Sequence, residues 1–158
     1  MRIRESINIS ASPERVWSVL ADPVMMELWN PKCTRCKVPQ SEEVRRGFEF
    51  EANFKLNGKE STSRAVVSEF IPLSRIAFTY KMDVPQPDSQ ATESLEITQT
   101  APNRILVTHQ IDMSLSGIPL WARLLIMLIH KFGRRADDSH SNLETLKVLL
   151  ESELETAV

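Results

Sequence analysis

The chain is poor in the residues that tie a small fold together covalently. It has only two cysteines among its 158 residues, so a framework of several disulfides is excluded. At this length a hydrophobic core is large enough to hold a fold without disulfides or a structural metal. The hydrophobic share of 42% and the charged share of 25% exclude disordered and fibrous classes. We therefore expect a single globular domain over residues 1–158.

An excess of positive charge is also missing, since the formal net charge is -2. Nucleic acids are bound mainly through neutralisation of their phosphates, which this balance does not favour. No stretch of the chain alternates aromatic and basic residues as a platform for single strands would. We expect no nucleic-acid partner.

Long apolar runs are absent as well. The longest, from Ile118 to Ile129, is interrupted by Arg123 and is shorter than the roughly 20 residues that cross a bilayer. The amino-terminal segment MRIRESINIS has no apolar centre of the kind that a secretory signal needs. These absences predict that no transmembrane segment exists and that the protein is cytoplasmic.

What the chain does have is an ordered run of signals between Ile7 and Pro31. Ile7 and Ile9 alternate with polar neighbours, which is typical of a strand. Ser12-Pro13 then supplies a capping hydroxyl and a proline at the first helical position, and Asp22-Pro23 repeats this signal. Pro31 ends the second helix, because the residue before a proline is pushed out of the helical region. The run predicts one strand followed by two short helices.

The middle of the chain changes to strand alternation. Apolar residues occupy alternate positions in five segments, separated by turn signals such as Asn57-Gly58 and Ala101-Pro102-Asn103. The predicted strands are 48–56, 59–71, 75–82, 92–100 and 105–115, with a loop at 83–90. Each strand has one apolar face, so these faces require a cover.

A single long helix is the predicted cover. It starts after Gly117 and Pro119 and reaches roughly Glu151, about 50 Å at 1.5 Å per residue. The positions that should press on the sheet recur at helical spacing, and they are Phe132, Ala136, Ser139, Leu143, Leu146 and Leu150. An antiparallel sheet with helices collected on one face is an α+β two-layer fold.

On these motifs the chain resembles the START-like (SRPBCC) superfamily, and within it the polyketide cyclase/dehydrase and lipid-transport group. The shared features are the opening strand and A-x-P helix, the Val-Trp, Asp-Pro and W-x-P motifs, Gly47, and the closing Leu143-x-x-Leu-Lys-x-x-Leu-Glu. The resemblance departs only at Pro102-Asn103-Arg104, where the group often turns on glycine-threonine. It implies a helix-grip fold, which is a curved seven-stranded antiparallel sheet around a long C-terminal helix, with two short helices after the first strand.

The same resemblance implies a cavity for an apolar small molecule between the sheet and the helix. Large residues line the sheet, whereas Ala136 and Ser139 in the helix are small, so we expect space to remain between the sheet and the helix. An empty cavity of roughly 300 Å³ would cost several kcal/mol, so side chains, water or a ligand must fill it. The expected ligand-binding residues are Phe48, Phe50, Phe54, Phe78, Tyr80, Leu95, Ile97, His109, Met113 and Leu125. The alternative is that these residues are simply core.

His109 is the strongest candidate for a catalytic residue. Alternation places it on the apolar face of its strand, and the hairpin register allows Glu93 to lie opposite or diagonal to it, with Tyr80 on a nearby strand. Together these three side chains could protonate and deprotonate a carbonyl substrate, as a cyclisation or dehydration requires. The alternative is a hydrogen-bonded core histidine that orients a ligand's polar group or nothing at all.

No cofactor and no metal site are expected. Cys33 and Cys36 have the spacing of a redox or zinc half-site, but a regular strand directs residues three apart to opposite faces. We therefore expect that the two thiols do not converge. His130 and His140 lie ten residues apart, which places them on different faces of a helix.

Three functions remain open. The first is a non-enzymatic protein that binds a hydrophobic or aromatic small molecule, such as a lipid or a polyketide. The second is an enzyme of the aromatase/cyclase or dehydratase type. The third is an interaction module, because residues 120–129 are apolar almost all round a helix. That surface could form a homodimer or touch a membrane peripherally.

Overall fold

A computed structural model describes residues 1–56, 58–82, 89–122, 124 and 141–155, which form seven strands, three α-helices with described bounds and the start of a further helix at Leu120. The strands are β1 (Arg2–Ile9), β2 (Cys33–Lys37), β3 (Glu49–Leu56), β4 (Lys59–Ile71), β5 (Arg75–Met82), β6 (Ser89–Ala101) and β7 (Arg104–Asp112). The helices are α1 (Pro13–Leu20), α2 (Met26–Trp29) and α3 (Asn142–Glu155). The strands form one curved, unclosed sheet in the order β1-β7-β6-β5-β4-β3-β2, with every neighbouring pair antiparallel. The predicted α+β class and helix-grip sheet are confirmed.

The helices after β1 begin at the capping residues that the sequence predicts. The Ser12 hydroxyl accepts a hydrogen bond from the Arg15 backbone N–H at 3.2 Å and starts α1. The Asp22 carboxylate accepts from the Val24 N–H at 2.9 Å and starts a short 3-10 turn that leads into α2. Asn30 ends α2 in an extended conformation, in agreement with the proline that follows it.

The predicted strands agree with the structure except at the first residue of β3, which begins at Glu49, and at the ends of the last hairpin. β4 and β5 have the predicted bounds, and β6 is longer than predicted at both ends. β7 stops at Asp112, three residues before the predicted end, because the Asp112 carboxylate accepts from the Ser114 N–H at 2.9 Å and turns the chain. Asn103 has φ 54 in the β6–β7 turn, so this asparagine adopts the left-handed conformation that glycine usually supplies.

A helix begins at Leu120, as predicted after Pro119, but the prediction that it runs without a break to about Glu151 is wrong, because Ser141 is not helical. α3 begins only at Asn142 and has 14 residues, roughly 21 Å of helix at 1.5 Å per residue. A capping box starts it, in which the Glu144 N–H donates to the Ser141 hydroxyl and the Ser141 N–H donates to the Glu144 carboxylate, both at 3.3 Å. The sequence carries this Ser-x-x-Glu signal. Phe132, Ala136 and Ser139, expected to face the sheet, lie outside the described residues.

The core lies on the inner face of the sheet, beneath the helices. α3 contacts β1 and α2, and α1 contacts β6 and β7. Leu143, Leu146 and Leu150 are buried, which confirms that this stripe of the helix turns inward. Val148, on the same helix, is 67% exposed. α2 also contacts β2, so the helices cover the inner face near β1, β6 and β7 and reach the opposite edge at β2.

Truncation of the buried stripe tests this packing. We expect Leu146→Ala to lower the free energy of unfolding by about 2–5 kcal/mol, because it removes buried methyl groups and leaves a cavity. Val148→Ala is the matched control and should change it by less than about 0.5 kcal/mol. Urea unfolding followed by circular dichroism measures both, and equal losses in the two variants would contradict the placement of α3.

Candidate functional site

Three polar side chains meet on the apolar inner face of the sheet. Tyr80 comes from β5, Glu93 from β6 and His109 from β7, and all three are buried. In the β6–β7 register Leu95 lies opposite His109, so Glu93 is its diagonal neighbour, as the sequence allowed. On its other side, Glu93 is opposite Phe78 and diagonal to Tyr80. The sheet therefore places the carboxyl group between the imidazole and the phenol.

Hydrogen bonds connect the three side chains into one chain. His109 Nε2 lies 2.6 Å from Glu93 Oε1, and the Tyr80 hydroxyl donates to Glu93 Oε2 at 2.8 Å. The Tyr80 oxygen also lies 3.6 Å from Met26 Sδ on α2. The single phenol proton goes to the carboxylate, because a charged oxygen is a stronger acceptor than a thioether. We call Tyr80, Glu93 and His109 the inner polar chain.

The surroundings of Glu93 keep it ionised. Burial acts to raise the pKa of Glu93, but the hydrogen bond from His109, the charge of His109 and the hydrogen bond from Tyr80 outweigh it, so the pKa is lowered. For Tyr80, burial and the adjacent Glu93 carboxylate raise the pKa well above its ordinary value. At neutral pH the site therefore holds a carboxylate and a protonated phenol.

Within the part of the chain that the structure describes, His109 uses only Nε2 in a hydrogen bond, so Nδ1 is available there for chemistry or recognition. A carboxylate only accepts hydrogen bonds, so the proton between His109 and Glu93 belongs to Nε2. In the neutral imidazole Nδ1 is then the acceptor. His109 can therefore accept a hydrogen bond or a proton at Nδ1 while Glu93 holds its ring in place.

Glu5 is a neighbour of this site that sequence reasoning missed. It lies directly opposite His109 in the β1–β7 register and is half-buried. The sequence could have revealed Glu5, because this charged residue interrupts the series Ile3, Ile7 and Ile9 on the inner face of β1. A glutamate therefore neighbours His109 on each adjacent strand, Glu5 directly opposite on β1 and Glu93 diagonally on β6.

The aromatic residues predicted to bind a ligand lie on the same inner face. Phe54 packs edge-to-face against Tyr80 with ring centroids 5.4 Å apart, and Phe50 packs in the same way on Phe78 at 5.6 Å. Six of the predicted apolar residues are buried, Phe54 and Met113 are partly buried, and Leu125 lies outside the described residues. The six buried ones are Phe48, Phe50, Phe78, Tyr80, Leu95 and Ile97. Their role in ligand binding stays a prediction.

The prediction that Cys33 and Cys36 do not converge is wrong. Their sulfur atoms lie 3.6 Å apart and both residues are buried. The reason is a register shift between Cys33 and Arg35, where a β-bulge adds one residue to β2. Because the bulge adds one residue between Cys33 and Cys36, both side chains lie on the inner face although they are three residues apart. Alternation alone does not reveal a bulge.

The segment predicted to be an interaction surface begins with exposed apolar residues. Leu120, Trp121 and Leu124 are 73%, 70% and 49% exposed, and residues 125–129 lie outside the described part. His130 and His140 lie outside it too. None of the helices that the structure describes is long and apolar enough to cross a membrane. A dimer or membrane contact through this surface stays a prediction.

The fold is that of a START-like domain. The sequence profile of the family described as "Polyketide cyclase / dehydrase and lipid transport" matches residues 1–151. The chain therefore belongs to this family, and the resemblance seen in its motifs is confirmed. No curated protein matches the chain.

Solved structures share the fold at low sequence identity. A START superfamily protein from Mycobacterium smegmatis is 16% identical with a TM-score of 0.68, over 99% of both chains. A protein from Thermus thermophilus is 20% identical with a TM-score of 0.67, again over 99% of both chains. The di-domain ARO/CYC protein BexL, from the BE-7585A biosynthetic pathway, is 15% identical with a TM-score of 0.71. All of this chain aligns with 48% of BexL, about half of its length. The TM-scores show a common fold, and at such low identities they show nothing beyond the fold.

The lowered pKa of Glu93 predicts how its contribution to stability depends on pH. Because the native pKa lies below the ordinary value of 4.5, the carboxylate stabilises the fold above that value. This contribution is lost as the pH falls from 4.5 through the native pKa. We expect Glu93→Gln to lower the free energy of unfolding by about 2–3 kcal/mol at neutral pH. The deficit should shrink as the pH falls below 4.5.

Urea unfolding of both proteins across this pH range measures the effect. Glu96→Gln, a half-buried glutamate on β6 whose parity places it on the outer face, is the matched control. A deficit for Glu93→Gln that stays the same at every pH would show that Glu93 is not ionised between His109 and Tyr80.

Proposed function

We propose that this protein binds a hydrophobic or aromatic small molecule on the inner face of its sheet, and that the inner polar chain receives a polar group of that molecule. The family and the fold give the general class, a START-like domain of the polyketide cyclase / dehydrase and lipid transport family. The proposal goes further, because it names the inner face as the binding surface and His109 as the residue that meets the ligand.

The single observation that carries the proposal is an ionised carboxylate buried in an apolar wall. Glu93 is 5% exposed, and its two oxygens accept hydrogen bonds from His109 and Tyr80. A buried carboxylate together with its hydrogen-bond donors seldom stabilises a fold more than well-packed apolar residues of the same volume would. Folding alone therefore gives little reason for this inner polar chain. Recognition of a polar group supplies one, because a buried and oriented acceptor discriminates strongly between ligands with and without a donor.

The rings beside the inner polar chain favour a flat ligand. Phe54 and Tyr80, and Phe50 and Phe78, form edge-to-face pairs that line the wall next to Glu93. Such pairs offer ring edges and faces against which another aromatic system packs favourably. A hydroxylated aromatic or polyketide-like molecule matches both the apolar wall and the acceptor at His109 Nδ1.

A pair of probes that differ by one hydroxyl tests this recognition. We expect 2-naphthol to bind more tightly than naphthalene, because its hydroxyl donates to His109 Nδ1. A glutamine amide can replace the Nε2 donor to Glu93 but places no acceptor at the position of Nδ1. His109→Gln should therefore weaken the binding of 2-naphthol by roughly tenfold or more. It should leave naphthalene binding unchanged. Tryptophan fluorescence titration and calorimetry measure these affinities.

Gln110→Ala supplies the matched control, because Gln110 neighbours His109 on β7 but faces the outer side of the sheet. It should bind both probes like the unmodified protein. If neither probe binds, or if His109→Gln weakens both equally, the proposed recognition is wrong. Mass spectrometry of material extracted from the purified protein gives an independent view of the natural ligand class.

Acid/base catalysis is the second candidate, and the geometry of His109 favours it. Glu93 fixes the ring through Nε2, which leaves Nδ1 as a base, and Tyr80 retains its phenol proton. His109 Nδ1 can remove a proton from the substrate and return it in an aldol cyclisation followed by loss of water, while the Tyr80 hydroxyl helps to hold Glu93 in place. BexL, which shares the fold, is described as an ARO/CYC protein.

A synthetic poly-β-ketone thioester tests this second candidate. If the protein is an enzyme, it should accelerate cyclisation or dehydration of the thioester, and His109→Ala should abolish the acceleration while binding of naphthalene is kept. Liquid chromatography with mass detection follows the products, and Gln110→Ala should remain active. Cyclisation that proceeds equally fast in His109→Ala would rule out His109 as the acid/base group.

A further inference from the structure

The two cysteines form a close pair at the edge of the sheet. β2 is the last strand in the order, and among the described strands it pairs only with β3. Cys33 and Cys36 lie on either side of the bulge in this strand, opposite Phe54 and Ala52 of β3. Their sulfur atoms are 3.6 Å apart, which is contact distance with no side chain between them. The chain has no other cysteine.

The backbone around the pair is held in place from outside the strand. The Cys36 N–H donates to the Glu27 carboxylate of α2 at 2.6 Å, and the Cys33 N–H donates to the Asn30 carbonyl at 2.9 Å. These bonds anchor both cysteines to the segment that contains α2. The sulfur contact is therefore supported by the turn before β2 as well as by the bulge.

We propose that Cys33 and Cys36 are an oxidation site, at which hydrogen peroxide produces a reversible disulfide within the chain. The sulfurs need to approach from 3.6 Å to the S–S bond length of about 2.05 Å. A side-chain rotation and a small adjustment of an edge strand can supply that movement, since β2 is bonded on one side only. This inference does not depend on the function proposed for the inner polar chain.

The reaction balances with peroxide as the only oxidant. The Cys33 thiolate attacks one peroxide oxygen, the O–O bond breaks, and Cys33 sulfenic acid and hydroxide are formed. Cys36 then attacks the Cys33 sulfur, the S–O bond breaks, and the departing hydroxide takes the Cys36 thiol proton and leaves as water. The two sulfurs lose two electrons in total, and the peroxide gains them. A small thiol reductant reverses the change by thiol–disulfide exchange.

The electrostatics of the pair support the assignment of Cys33 as the attacking thiol. The hydrogen bond from Cys36 lowers the pKa of Cys33, although burial and the charges of Glu27 and Glu93 oppose it. The same hydrogen bond and burial raise the pKa of Cys36. One sulfur is therefore favoured as the thiolate while the other keeps its proton, which is the division of roles that the two steps need.

A zinc site is a poorer interpretation of the same residues. Structural zinc takes four ligands. In the described ranges, no group of three or more histidine, cysteine, aspartate or glutamate side chains is placed to hold a metal ion. The two thiols therefore have each other as their redox partner.

Oxidation of the purified, reduced protein with hydrogen peroxide tests the proposal. We expect the intact mass to fall by two hydrogens, both thiols to become unreactive towards a maleimide, and one peptide to contain the Cys33–Cys36 link. Treatment with dithiothreitol should restore the mass and both thiols. Because the chain has only two cysteines, these readouts have one interpretation.

Cys33→Ser and Cys36→Ser are the matched controls, and neither should show the loss of two hydrogens. Phenylarsine oxide, which bridges two neighbouring thiols, provides a second measurement without oxidation. It should form a stoichiometric adduct with the unmodified protein and not with either variant. The proposal is overturned if peroxide only adds oxygen atoms to the folded protein or leaves its thiols free, or if phenylarsine oxide does not bridge them.

Discussion

An ionised carboxylate on an otherwise apolar wall is the constraint on which the rest of this structure depends. Glu93 can remain charged in that position only because His109 and Tyr80 each donate a hydrogen bond to it. Three neighbouring strands must therefore keep their register, since a slip of one residue would turn one of these side chains to the outer face. The sheet is thus both the support of the inner polar chain and the element that its hydrogen bonds lock together.

The two cysteines extend this site towards the edge of the sheet. The charge of Glu93 acts on Cys33, and both thiols contribute to the raised pKa of Tyr80. A change in the redox state of the pair therefore alters the field at the phenol that Glu93 holds. Ligand recognition and thiol chemistry are separate proposals, but they concern side chains that share one inner face and that influence one another through a low-dielectric interior.

Much of the fold could be predicted from local patterns in the sequence. The capping residues Ser12 and Asp22 predicted α1 and the turn before α2, and strict alternation gave β4 and β5 with their observed bounds. The same alternation placed Glu93 and His109 on one face. It failed at the bulge in β2, because an extra residue there reverses the parity on which the argument about Cys33 and Cys36 depended. The prediction for the last helix failed for a different reason, since apolar spacing continues across Ser141 and hides the capping box that starts α3 there.

The sequence by itself determined the family, the antiparallel sheet and the residues that could form a polar site, because capping, alternation and turn signals act between residues close in the chain. Only the tertiary structure decided which partners those residues meet. The bonds from His109 and Tyr80 to Glu93, the position of Glu5 opposite His109, and the contact between the two thiols all depend on strand register. Register is a sum of many cross-strand contacts and bulges, and no short segment contains that information.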